Sequence, residues 1–120
     1  MADKDSKSFQ LAKQYLGREV KIIIDRPLGS KHPKHDLVYE VNYGYVPGVM
    51  APDGEELDAY YLNNVPVKAA SGVCIAIVHR LNDDDDKLIV APPNVDFSDD
   101  EIKKLIDFQE KYFEYEIVRR

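Results

Sequence analysis

One amphipathic stretch near the C-terminal end constrains this 120-residue chain more than anything else in it. From Ser98 the order "SDDE" predicts a capping box, with Ser98 capping the first turn and Glu101 reaching back to the Ser98 amide. Ile102, Leu105, Ile106, Gln109, Tyr112 and Phe113 then fall on one helical face, which Phe108 widens. A stripe of that size must be covered. The rest of the chain is cut into short apolar runs, so the covering surface has to be a sheet.

Those runs are "REVKIIID" (18–25), "LVYEVNYGYV" (37–46, with a Pro-Gly turn after it), "LDAYYL" (57–62), "GVCIAIVHRL" (72–81) and "KLIVAP" (87–92). Each is rich in β-branched or aromatic residues and is bounded by turn residues. "SKSFQLAKQYL" (6–16) predicts a short helix ended by Gly17, and "EYEIVRR" alternates like an edge strand. The expected fold is mainly β with α. It is a single domain over 1–120, a small five-stranded OB-like β-barrel with a short N-terminal helix and the C-terminal amphipathic helix packed on its flank.

Apolar residues make up 44% and charged residues 32%, and the formal net charge is −6. An acidic balance argues against nucleic acid or an anionic membrane as partner. No apolar run reaches transmembrane length, and "MADKDSKSFQ" has no signal-peptide core. The lone Cys74 cannot form an internal disulfide. A cytoplasmic, reducing setting is expected.

Three charged groups are candidates for chemistry. "APDGEELDAYYL" puts Asp53, Glu55, Glu56 and Asp58 close together around a Pro-Asp-Gly turn. Like charges at that density either stay in solvent or hold a cation, and oxygen donors of this kind suit Mg²⁺. Asp83–Asp86, followed by Lys87, is either a solvated loop tip or the completion of such a metal site. Arg26, Lys31, His32, Lys34 and His35 form a cationic loop, which is either mobile or the counter-face of a polyanion site. Tyr39, Tyr43 and Tyr45 are expected on one strand face, as core or as site lining.

"VNYGYVPGVMAPDGEELDAYYL" together with "DKLIVAPP" resembles the family I soluble inorganic pyrophosphatases over about Ile22 to Tyr112. The resemblance implies hydrolysis of inorganic pyrophosphate to two phosphates with two or more Mg²⁺ ions, Mn²⁺ being a substitute. It implies metal ligands at Asp53, Glu55, Asp58, Asp83 and Asp85, the Asp83 match requiring a shortened loop in which Asp84 or Asp86 are alternatives. Glu55, Asp58, Lys87 and Tyr43 would carry catalysis. Lys34, Tyr39, Tyr43, Lys87 and Tyr112 would bind substrate, with Asp25, Asp36 and Arg26 as further members. It also implies self-association into a symmetric homo-oligomer.

Departures from the family's pattern point to lowered activity. Where the family's turn reads D-x-D-P-x-D, this chain has Glu55 and Glu56 in place of the middle aspartate and the proline. An added methylene displaces a carboxylate by about an ångström, enough to cost roughly 100-fold in rate. Phe113 stands where a lysine is expected. The hairpin that carries an active-site arginine is missing between Asp36 and Tyr39, leaving Arg26 or Arg80 as replacements. Two alternatives therefore stay open: a non-catalytic phosphate- or nucleotide-binding module, and a hydrolase of a larger diphosphate.

Overall fold

The computed structural model describes residues 6–34 and 36–119. His35 of the cationic loop lies outside them. The elements in chain order are α1 (Lys7–Lys13), β1 (Glu19–Arg26), β2 (Asn42–Met50), β3 (Glu56–Tyr61), β4 (Ala69–Arg80), β5 (Lys87–Ala91), α2 (Asp99–Glu110) and β6 (Tyr115–Val118). Strand order is β1-β2-β3-β5-β4, and β4 pairs back onto β1 to close a five-stranded barrel. β6 pairs with the C-terminal end of β4, on the same edge as β1, as the expected edge strand. Every pairing is antiparallel except β3 with β5. Among the described residues no helix is long and apolar enough to cross a membrane.

Side-chain alternation explains where the core lies. In β1, Val20, Ile22 and Ile24 are buried while Glu19, Lys21, Ile23 and Asp25 face outward. The inward residues meet Leu57, Ala59, Cys74, Ile77, Leu88 and Val90, and Phe9 and Ala12 of α1 join them. The opposite faces of β3, β4 and β5 carry Tyr60, Ala76, Val78 and Ile89, which pack under Ile102, Ile106 and Phe108 of α2. β5 is buried at every residue because it has the barrel core on one side and α2 on the other. The capping box at Ser98 and Glu101 is formed as expected, both bonds being present.

The second strand differs from its expected span. Residues 37–41 do not join it; they fold back on the loop before them. Tyr39 N–H donates to the Ser30 carbonyl at 2.9 Å, His32 N–H to Leu37 at 2.9 Å, and Gly29 N–H to Tyr39 at 2.8 Å. The Pro47-Gly48 pair is likewise no turn. β2 runs through it with a register shift between Tyr45 and Met50, and Gly48 at φ +81° absorbs the irregularity. The chain reverses afterwards, where Ala51 N–H bonds to Glu55 O at 2.7 Å and Gly54 sits at φ +87°. α1 also stops short of its expected end at Leu16, the last residues forming turns before Gly17 at φ +79°.

Gly44, in the middle of "NYGYV", is required by closeness rather than by backbone angle. A Cβ there would lie 1.8 Å from the carbonyl oxygen of Ile23 on β1. Backbone cannot yield as a side chain can. Gly44→Ala is expected to cost about 1–3 kcal/mol or more through overpacking, seen as a lower urea midpoint with an unchanged slope. An unaltered midpoint would mean that β1 and β2 lie farther apart than described.

Candidate active site

The site forms where β3 and β5 begin and β4 ends, near the C-terminal turn of α2. Lys87, the first residue of β5, is 2% exposed. Its Nζ donates to Asp58 Oδ2 at 3.1 Å and to Asp85 Oδ2 at 3.2 Å, and it stands 5.5 Å from the centre of the Tyr43 ring. Tyr43 donates its hydroxyl to Asp58 Oδ2 at 2.8 Å. Burial pushes the Tyr43 phenol well above its ordinary range, and the Asp58 charge adds to the shift. The hydroxyl therefore stays protonated and keeps donating. β2 brings Tyr43 opposite Tyr60 on β3, with Asp58 opposite Tyr45, which sets the spacing of this pair.

A second buried cation lies beside it. Arg80, the last residue of β4, forks onto Glu110 of α2, Nε to Oε1 and Nη2 to Oε2, both at 2.9 Å. Its Nη1 is 3.3 Å from Asp85 and 3.4 Å from Asp83. The Phe113 ring covers the guanidinium, its centre 3.6 Å from Cζ. Burial works against the charge on Arg80, but the bonds and charge of Glu110, with Asp85 and Asp83 behind them, outweigh it and raise its pKa. Glu110 is fully buried and also accepts from the Tyr60 hydroxyl at 2.6 Å, which in turn accepts from Gln109 Nε2.

The four consecutive aspartates divide by task. Asp83 and Asp85 face Arg80, and Asp85 also holds Lys87. Asp84 accepts from the Ser8 amide at 3.0 Å; burial opposes its charge, but the bonds from Ser8 and Ser6 and the charge of Lys7 together bring its carboxyl below the usual range. Asp86 is buried, bonded to His79 Nδ1 at 2.8 Å and to the Arg80 amide at 3.0 Å, and burial raises its carboxyl despite those bonds. Both alternatives to Asp83 are thus committed to holding the loop: Asp84 to α1, and Asp86 to His79 and, through its own amide, to Ser8 Oγ.

These groups open onto a cavity of about 630 Å³, whose wall includes His32, Asp36 and Leu37 from the folded-back loop, Gln109 from the last turn of α2, and Tyr112 and Phe113, which lie in the turn just past the helix rather than on its face. The expected residues fall into three sets. Tyr43, Asp58, Asp85, Lys87, Tyr112 and Asp36 line the cavity. Tyr39 sits behind it, stacked on Tyr43 and His32 rather than sharing a strand face with Tyr43 and Tyr45; burial raises its phenol, with Arg26 opposing. Asp25 is exposed; partial burial shifts its carboxyl upward, with Arg26 opposing and the Asp58 charge adding.

Asp53, Glu55 and Lys34 are exposed and line none of the cavity. Asp53 Oδ1 accepts from the Glu55 amide, a bond that shapes the turn, and Lys34 donates its amide to His32 Nδ1. The five-acid cluster expected from the sequence is therefore not assembled. The turn at 51–55 projects Asp53 and Glu55 into solvent, while Lys87 and Arg80 draw in Asp58, Asp85 and Asp83. Among the described residues no three histidine, cysteine or carboxylate side chains form a ready-made cation site. Asp58 and Asp85 do fit a looser role. Magnesium is commonly held by one or two carboxylates together with waters and substrate phosphates, and both carboxylates are about one-third exposed beside the cavity.

Of the two candidate replacements for an arginine, Arg80 lines the cavity and Arg26 does not. Glu110 was missed by sequence reasoning, although a signal existed. Ile102, Ile106 and Glu110 are spaced at i, i+4 and i+8, so the acid lies on the helix's buried stripe, and a buried carboxylate needs a cation.

A family model described as inorganic pyrophosphatase matches residues 6–117. The inorganic pyrophosphatase of Campylobacter jejuni is 29% identical over 92 residues, which cover 72% of this chain and 51% of that protein. That of Rickettsia prowazekii is 28% identical over 115 residues, covering 77% and 67%. The match thus spans about half the length of the first relative and two thirds of the second. The crystal structure of inorganic pyrophosphatase from Ehrlichia chaffeensis aligns with a TM-score of 0.65 at 19% identity, over 84% of this chain and 85% of that one. At that identity the likeness speaks for the barrel and its helix alone.

Proposed function

Because the chain belongs to the inorganic pyrophosphatase family, we propose that the cavity at the ends of β3, β4 and β5 hydrolyses inorganic pyrophosphate to two phosphates with magnesium, and does so slowly. The observation that carries this reading is the buried ammonium of Lys87 held between two carboxylates at the cavity. A cation so placed binds an anion without having to be ordered first.

Lys87 exchanges one carboxylate for a phosphate oxygen, and Arg80 offers Nη1, whose two present contacts, at 3.3 and 3.4 Å, are long. The Glu110 fork and the Phe113 ring keep the guanidinium still while this happens. Tyr112, at the rim, is placed to donate its hydroxyl to the outer phosphate. The Tyr43 hydroxyl holds Asp58 in one orientation. Asp58 and Asp85 are the side chains that would hold magnesium, and the chemistry supplied there is neutralisation of diphosphate charge and acidification of water.

Slowness follows from Asp53 and Glu55. Both are outside the cavity, so Asp53 does not hold a metal ion there and Glu55 does not orient the attacking water, the roles the family resemblance implies for them. A reducing compartment goes with the reading as well: Cys74 is a buried free thiol, pushed up to about 12 by burial.

A phosphate-release assay on the purified protein tests the proposal. Release is expected with magnesium, is abolished by EDTA, and falls by at least about 100-fold in Asp58→Ala. Full activity in that variant would end the assignment. A binding-only module is the second reading, favoured by the exposure of Glu55. Calorimetry showing pyrophosphate binding with no phosphate release would select it.

A further inference from the structure

Among the described residues none of α1 lines the cavity, yet the helix holds the loop that carries Asp85. The partners of Asp83 to Asp86 alternate. Asp83 and Asp85 turn to the Arg80 guanidinium, whereas Asp84 turns to α1 and Asp86 to His79. Asp85 therefore sits between two residues that are both tied to Ser8. The Ser8 amide donates to Asp84 Oδ1 at 3.0 Å, and the Ser8 hydroxyl oxygen accepts from the Asp86 amide at 3.2 Å. From one point, these two bonds bracket the backbone of Asp85.

That point is itself fixed. Ser8 is 1% exposed. Next to it, Phe9 stacks on His79 with ring centres 4.0 Å apart, and Ala12 is fully buried in the barrel core. The loop has less to hold it. Leu81 to Asp84 are exposed, and like charges at four successive positions repel one another. Fastening α1 to the barrel does not require the Ser8 bonds, because Phe9 and Ala12 already do that. What the bonds add is a fixed direction for the carboxylate between them. Groups that orient a metal's ligands are commonly worth about 10- to 100-fold in metal affinity.

We propose that Ser8 is a positioning residue for magnesium: through Asp84 and Asp86 it keeps Asp85 aimed at the cavity, so that α1 sets the affinity of the site for the ion. This rests on the hydrolysis, and on the magnesium-holding role of Asp85, proposed for the same site.

The test compares the parent protein with Ser8→Ala, Asp84→Ala and Asp84→Asn. Ser8→Ala loses the bond from the Asp86 amide, and Asp84→Ala loses the bond from the Ser8 amide. Asp84→Asn removes the same charge as the alanine but keeps a carbonyl oxygen for the Ser8 amide. The difference between the two therefore reports the bond alone. Asp84 is exposed, so its variants fold whatever a change at buried Ser8 does. Two quantities are measured: the calorimetric Kd for magnesium alone, and the magnesium concentration giving half-maximal phosphate release from pyrophosphate. Both are expected to rise about tenfold in the two alanine variants, while the rate at saturating magnesium stays close to the parent's. Asp84→Asn should stay near the parent in both. Alanine variants with an unchanged magnesium requirement overturn the proposal. An asparagine variant as poor as the alanine does so too, and so does a lost rate that added magnesium does not restore. Those three outcomes leave the hydrolase standing. A parent protein that shows neither magnesium binding nor magnesium-dependent release removes the hydrolase reading and this proposal together.

Discussion

Arg80→Met is expected to melt roughly 10–20 °C below the parent protein. The reason is the state in which it leaves Glu110. That carboxylate is 0% exposed, and both of its oxygens are held by the guanidinium fork. Removing one partner of a buried ion pair costs about 3–5 kcal/mol, and each kcal/mol is worth roughly 4 °C in a domain of this size. Against a total stability of about 5–15 kcal/mol, the loss is large. The cause is the stranded charge, so Arg80→Met combined with Glu110→Gln should regain most of it: the amide still accepts from the Tyr60 hydroxyl and brings no charge into the core. Thermal melts of the parent, the single and the double variant settle the matter. A single variant that melts within a few degrees of the parent would mean that the pair is not a buried strut between β4 and α2.

Lys87→Met separates function from stability in the opposite sense. A straight apolar side chain fills the same slot, and the two carboxylates it leaves behind, Asp58 and Asp85, are about one-third open to solvent. Water and Arg80 can therefore take up their charge, and the melting temperature should move by only a few degrees. Phosphate release should fall about 100- to 1,000-fold, the usual loss when one positioned donor to a developing anion is removed. Retention of more than a tenth of the parent rate by a folded variant would take Lys87 out of the reaction. The combined pattern gives the two buried cations different duties. Arg80 holds the barrel and helix together and presents one nitrogen to the site; Lys87 works mainly on the ligand.

Part of this arrangement follows from residue order alone. Alternation in β1, turn residues at each strand end and the Ser98–Glu101 box are local, period-two or period-3.6 signals, and they lead directly to a barrel with one helix on its flank. The density of acids around Asp58 and beside Lys87 marks the place where charge has to be managed. Which acids face inward is a different kind of question. Asp53 and Asp58 are the same residue type five positions apart, but the turn at 51–55 ends between them, so one points to water and the other to Lys87. Asp83 to Asp86 all carry the same type of side chain, and their roles were assigned by what packs above and below: Ser8 of α1, His79 and Arg80 of β4, and Lys87 of β5.

Tyr39 left the strand to which its spacing with Tyr43 assigned it because its amide and carbonyl bond instead to the loop before it. The pairing of Arg80 with Glu110 joins residues that local periodicity cannot connect, and it exists only once α2 lies across the barrel. Residue order alone thus settled the architecture and located the charged region, since backbone periodicity and turn chemistry act over a few positions. The identity of the cavity-facing groups was decided in three dimensions, because the cost of a buried charge depends on which partner arrives from a distant segment.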